Sequence, residues 1–176
     1  MIMVNVSVFR GSDGQLEFAL SEGTPEEKKA KEVSEAYSLS PVGRLTNVVV
    51  KVESELKAFH ELGQRYPTDL RPGNVNISGS CERAYINGAL LHLLLGDAAT
   101  NRPAGTFLSP TFDLVLKLEN PGVSAQGSIV STLTVHGVKL ENWNFTIPED
   151  DFVMESVTFK ALWVSATDIP ASGGAG

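Results

Sequence analysis

The sequence predicts a mainly β domain, a sandwich or barrel of two antiparallel sheets, with one short flanking helix. Three observations carry this. Residues 111–164 alternate apolar and polar side chains in four β-patterned stretches. Residues 74–96, NVNISGSCERAYINGALLHLLLG, hold a strand, a Gly-Ser hinge and one very apolar helix. The chain has 176 residues and is 42% hydrophobic, enough for a single core and too short for two comfortable ones.

The elements follow in order. Val4, Val6 and Val8 alternate with Asn5 and Ser7, so residues 3–9 read as a strand. Residues 15–20 are its expected hairpin partner across Gly11-Ser12-Asp13-Gly14. Thr24-Pro25-Glu26-Glu27 is a capping box: the Thr24 hydroxyl can accept from the Glu27 N–H, the Glu27 carboxylate can reach back, and Pro25 suits the first helical position. A helix over residues 25–36 follows, with a Glu27–Lys31 pair and a thin stripe of Ala30, Val33 and Tyr37 that suits a surface position. Residues 45–53 alternate as a strand, residues 56–66 are expected to hold a helical turn, and Pro67 and Pro72 punctuate a loop.

Residues 75–78 form a short strand expected to break at Gly79. Over residues 85–95, Ile86, Ala89, Leu90, Leu93 and Leu94 recur at helical spacing, and Gly96 is placed to end this main helix. Phe112, Leu114, Leu116 and Leu118 share one face of the next strand. Residues 128–136 then turn at Gly137 into residues 138–147, Pro148-Glu149-Asp150-Asp151 is the last turn, and the closing strand over 157–164 has apolar residues on both faces, which predicts cover on each side. In total about eight strands and one central helix are expected. Residues 1–165 are read as one domain and 166–176, ending Ser-Gly-Gly-Ala-Gly, as a flexible tail.

Chemical motifs are scarce. The histidines His60, His92 and His136 have no metal-ligand spacing among themselves or with the lone Cys81, and no metal or cofactor is expected. Ser78 and Ser80 lack a nucleophile elbow, and the glycines form no phosphate-cradling loop. The acids Glu149, Asp150 and Asp151 lack the pattern of a calcium loop and read as a solvated turn. With 14 Lys and Arg against 21 Asp and Glu, a formal charge of −7 argues against a protein that grips nucleic-acid phosphates. No run approaches the roughly 20 apolar residues of a bilayer span and residues 1–10 lack the pattern of a secretory leader, so a cytoplasmic, membrane-free protein is expected.

Residues 72–85, PGNVNISGSCERAY, together with residues 135–143, VHGVKLENW, and 151–161, DFVMESVTFKA, resemble the tail-tube proteins of tailed viruses, the group that shares its fold with the type VI secretion tube protein. The resemblance covers about the C-terminal two thirds. It implies a non-enzymatic virion component: six copies joined by their sheets into a ring around a pore, rings stacked into a tube, and DNA passing without specific binding. It also implies tail sheath, baseplate and tail-terminator proteins as partners, and a place in the virion tail after assembly in the host cytoplasm. Strand alternation offers Glu53, Glu55 and Asp113 as residues lining the lumen. The alternatives are a tube subunit of a secretion-like contractile injection device and a small ligand-binding β-barrel using His136, Glu141 and the turn at 149–151.

Overall fold

The computed structural model describes residues 9–39, 42–119 and 129–168. The chain runs β1 (Gly14–Ala19), α1 (Pro25–Tyr37), β2 (Leu45–Phe59), β3 (Asp69–Ala84), α2 (Ala89–Leu95), β4 (Phe112–Glu119), β5 (Ile129–Thr146), β6 (Met154–Ala161) and β7 (Trp163–Asp168), with 3-10 turns at Gly11–Asp13 and Gly96–Ala99. The strands form one seven-stranded sheet in the order β1-β4-β5-β6-β3-β2, with β7 also beside β5. Every pairing is antiparallel. The two sheets expected from the sequence are therefore two halves of a single sheet.

β5 joins the halves. Its first half lies between β4 and β7, and its second half pairs with β6. Where Phe112 and Leu114 face Val138 and Val135, β5 holds one residue more than β4, and Gly137 takes φ 66° there. This is a bulge with a left-handed glycine, which bends a strand and sharpens its twist. Across the corner Leu162 interrupts β6 and β7, its N–H donating to the His136 carbonyl at 2.9 Å. A Cβ on Gly137 would lie 2.5 Å from Leu162 Cδ1, so the corner has no room for a side chain.

The bend curls the sheet into a half-barrel. Leu16 and Phe18 of β1, Phe112 of β4, Ile77 of β3 and Phe159 of β6 then share one core, although β1 and β3 are far apart in strand order. The terminal strands β1 and β2 face each other across a cleft lined by Gln15, Leu16, Leu45, Val48 and Leu116. Both helices add to this core, through Ala30 and Val33 of α1 and Ala89, Leu90 and Leu93 of α2. The α1 cap forms as the sequence requires: Glu27 N–H donates to Thr24 Oγ1, and Glu27 Oε2 accepts from the N–H groups of Thr24 and Gly23. Gly96 ends α2 with φ 60°.

Several expectations are corrected. Instead of a helical turn over 56–66, β2 continues to Phe59, because pairing with β3 outweighs the helix-forming tendency of Glu55, Leu56, Lys57 and Ala58. Pro72 lies inside β3 beside a bulge, where the missing N–H is tolerated. Gly79 does not break its strand. It lets β3 lie directly against the Phe159 ring and the Val49 carbonyl, both of which a Cβ would overlap. Gly137 bends one 18-residue strand rather than separating two. Among the described residues the outward face of β6 and β7 has no cover, since Lys160 and Leu162 are exposed. Two helices form among the described residues, and α1 buries more than a thin stripe; Lys31 pairs with Glu22 and Glu35 while Glu27 serves the cap. The hairpin partner expected at residues 3–9 falls mainly outside the described residues. β7 reaches Asp168, three residues into the expected tail, and 169–176 also lie outside.

Candidate assembly surface

The described chain gathers no pocket of convergent catalytic groups; what it leaves unsatisfied is strand edge and apolar strand face. β3 pairs with β6 only from Ile77 to Ala84, whereas its pairing with β2 runs on to Asp69. Beyond Ile77 the two strands leave the sheet as a two-stranded ribbon, and every residue from 51 to 76 is exposed. Over residues 69–76 its length is about 25 Å.

Register sorts the ribbon into two faces. Val52, Leu56, Leu70 and Val75 continue the core-facing side of Ile77 and are 55–64% exposed. Lys51, Glu53, Lys57 and Arg71 lie on the other side. A bulge at Gly73-Asn74, opposite Glu55, keeps the alternation in phase past Pro72. An isolated two-stranded ribbon is marginal in water, and a contiguous exposed apolar face marks a contact surface.

The half-sheet β5-β6-β3-β2 also has open edges. Among the described residues, the outer edge of β2 and the outer edge of β5 over residues 139–146 have no partner strand. The two edge strands run in opposite directions, and the in-sheet part of β2, residues 45–52, matches the length of 139–146. Its outward face is small and polar, with Ser78 and Ser80 beside Thr158 and Lys160. Charges there alternate in sign, as in the pairs Lys51–Glu53 at 2.7 Å and Lys160–Glu141 at 3.2 Å.

At the end of this half-sheet opposite the ribbon lies an aromatic rim. Tyr85 packs edge-on against Phe145 with ring centres 4.7 Å apart, and Phe145 stacks on Trp143 at 5.6 Å. Ile86, Ile147 and Phe152 extend the rim and are 55–80% exposed. Behind it is a buried ion pair. Arg83 Nε donates to Glu155 Oε1 at 2.5 Å, and both residues are 1% exposed. Trp143 Nε1 donates to the other carboxylate oxygen at 2.9 Å. Arg83 also reaches Asn87 Oδ1, which accepts the Ala89 N–H at the start of α2. Residues 72 positions apart thus clamp β3, β5, β6 and α2 together.

The residues expected to line a lumen part company. Glu53 and Glu55 lie on exposed β2, whereas Asp113 lies on β4 at the corner. Asp113 Oδ1 accepts the Gly137 N–H at 2.9 Å, and Oδ2 is 3.3 Å from His136 Nδ1. His136 Nε2 meets Ser165 Oγ at 2.9 Å, and Trp163 stacks on the imidazole at 3.8 Å. Sequence reasoning missed this cluster, whose members stand on three strands; the αL-prone Gly after His136 was its one local signal. It has the order of a nucleophile relay but lies on the outer sheet face under the Trp163 ring. Glu141 and the turn at 149–151, grouped with His136 in the ligand-binding alternative, are elsewhere: Glu141 pairs with Lys160, and the turn adjoins the rim. Burial pushes the Cys81 thiol up to about 12, which leaves it unreactive. Among the described residues no three His, Cys, Asp or Glu side chains converge as metal ligands, and no helix is long and apolar enough to cross a membrane.

No protein-family model matches the chain, and no curated protein matches it in sequence. Solved structures do match in fold. The sheath–tube complex of an extracellular contractile injection system, PVC, in its extended state aligns with TM-score 0.61 at 8% identity, over 93% of this chain and 94% of the other. The tube-terminating cap of the anti-feeding prophage gives TM-score 0.61 at 8% identity, over 95% of each chain. The tail tube of SPP1 gives 0.57 at 12% identity, over 94% of this chain and 82% of that one. The curled sheet with its two helices is therefore the tail-tube fold, as the sequence resemblance implied.

Proposed function

We propose that this chain is a structural tube subunit whose copies pair edge to edge, β2 of one against residues 139–146 of the next, into a homohexameric ring. The observation that carries this is the four-stranded half-sheet with two open edges of opposite direction and equal length. Placed side by side, copies continue the antiparallel alternation, and ring closure removes the exposed edges that are an aggregation liability in a monomer. Six copies supply about 24 strands, so at about 4.8 Å per strand the circumference is about 115 Å and the diameter about 37 Å before strand tilt widens it.

In this ring the polar outward face lines the bore with Ser, Thr and paired Lys residues, and Glu53 and Glu55, on the same side of β2 where the ribbon begins, lie at the mouth of the lumen rather than in its wall. A wall of small polar groups and neutralised charges does not grip phosphates, which suits DNA in transit. Asp113, held at the corner by Gly137 and His136, is the expected lumen residue with a structural occupation. Rings stack into the inner tail tube of a virion, built in the host cytoplasm, with sheath, baseplate and terminator proteins as further partners and no catalytic role. The fold likeness to the PVC sheath–tube complex supports the alternative of an injection-device tube, which uses the same ring. Electron microscopy of the purified full chain is expected to show rings or tubes. A species that stays monomeric at every concentration and salt tested overturns the proposal.

A further inference from the structure

The two open edges of the half-sheet carry charges in a matching order. On its outward side β2 presents Lys51 and then Glu53, and the edge of β5 presents Lys139 and then Glu141. All four are exposed, and the two edges run in opposite directions, so each Lys of one can meet the Glu of the other. Within its own sheet Lys139 stands directly across from Lys160. Lys160 takes Glu141 at 3.2 Å, and Lys139 makes no ion pair among the described residues. Like charges directly opposite one another destabilise a sheet, and an acid on the free side of β5 relieves this one.

A seam between β2 of one copy and β5 of the next has to keep the core-facing side chains on one side, so the registers open to it differ in steps of two residues. Three of them bring these charges together. One sets Lys51 opposite Lys139, and another sets Glu53 opposite Glu141. The register between them sets Glu53 opposite Lys139 and Lys51 opposite Glu141, two attractive pairs. On the core-facing side it places Val52 beside Leu140 and, past the irregularity at Glu141, Val50 beside Trp143 and Val48 beside Phe145.

We infer that Lys51, Glu53, Lys139 and Glu141 select the register at which one copy joins the next, with Glu53 of one copy on Lys139 of its neighbour and Lys51 on Glu141. The inference rests on the ring proposed above and adds to it the alignment of the seam. Exposed ion pairs contribute little raw affinity, but a like-charged juxtaposition penalises the wrong alignment, and that is how charge fixes register. The choice matters for closure. An error of two residues displaces each copy by about 7 Å along the strand, and an offset repeated at every boundary leaves an open helix in place of a ring.

Two full-length exchange variants test this. Lys51→Glu with Glu53→Lys exchanges the charges of β2, and Lys139→Glu with Glu141→Lys exchanges those of β5. Net charge is unchanged, Lys160 keeps an acid beside it, and all four positions are exposed, so the fold should survive, as circular dichroism will check. The concentration at which half of the chain is in rings, measured by sedimentation and microscopy, is expected to rise about tenfold for each variant alone, since two attractive pairs per boundary become two repulsive ones. The rise is expected to shrink at about 0.5 M salt, where such charges are screened. Mixed in equal amounts, the two variants are expected to assemble at the wild-type concentration in rings where they alternate, because exchanged β2 then meets exchanged β5 and native β2 meets native β5 at every boundary. A chain carrying all four substitutions is expected to assemble as wild type does. Unaltered assembly of either exchange variant, or a mixture that assembles no better than its parts, overturns the inferred register while wild-type rings stand. Absence of rings from the wild-type chain removes the ring proposal itself and the inference with it.

Discussion

Replacing Glu155 with Ala tests the buried clamp most directly. Arg83 and Glu155 are each 1% exposed, so the variant leaves a guanidinium in the interior with Asn87 Oδ1, 3.4 Å away, as its remaining side-chain acceptor. Removing one partner of a buried pair costs about 3–5 kcal/mol, because the other charge stays desolvated. The Trp143 N–H also loses its acceptor, adding about 1 kcal/mol if water does not replace it. Against a total stability of about 5–15 kcal/mol for a domain, this is a large share. Replacing both partners, Arg83→Met with Glu155→Leu, removes the stranded charge and is expected to recover most of the loss, to within about 2 kcal/mol of wild type. The assay is urea unfolding at one fixed protein concentration, followed by circular dichroism and Trp fluorescence, since assembly makes apparent stability concentration-dependent. A loss below about 1 kcal/mol for Glu155→Ala, or a double variant no more stable than the worse single one, would refute the reasoning.

Gly79→Ala puts a methyl into the Val49 carbonyl and the Phe159 ring, and should cost at least about 1–3 kcal/mol in the same assay; a neutral result contradicts the close approach of β3 to its neighbours. Gly137→Ala combines φ 66° with overlap on Leu162, so a larger loss is expected, seen as failure of the long β5 hairpin to gain hydrogen-exchange protection. Thr24→Ala should cost about 1 kcal/mol through the α1 cap and leave ring formation unchanged by microscopy. The Cys81 thiol, pushed to about 12 by burial, should resist iodoacetamide at pH 8 in the folded protein and react on unfolding; rapid labelling of the native state would mean that β3 opens locally.

What could be read from the sequence was set locally. The cap at Thr24 and Glu27, the end of α2 at Gly96 and the face of Phe112 and Leu114 depend on neighbours within a turn or a strand, and each stands where the pattern put it. The misreadings within the strands concern positions whose role is decided across the sheet. Gly79 looks like a break until Phe159 and Val49 are placed beside it, and Pro72 looks like a loop residue until the bulge opposite Glu55 is known. Leu56 and Lys57 favour helix in isolation and become strand because Pro72 and Arg71 lie across from them. Of the assembly surface, the incomplete strands were legible as a class. The ribbon, the rim and the Arg83–Glu155 clamp were not, because they join residues that one-dimensional periodicity cannot bring together.

In the proposed ring the half-sheet would offer an even number of strands to its neighbours. With an odd number, rotation about a ring axis would put two like-directed strands together at every subunit boundary and force a weaker parallel seam. Evenness removes that restriction for any stoichiometry. In the ring proposed above, the order of symmetry is therefore left to the angle at which neighbouring copies meet, and we propose the Gly137 bend, which fixes where the other half of the molecule stands beside that seam, as one determinant of it. Substitutions that alter the bend without breaking it should shift the stoichiometry itself.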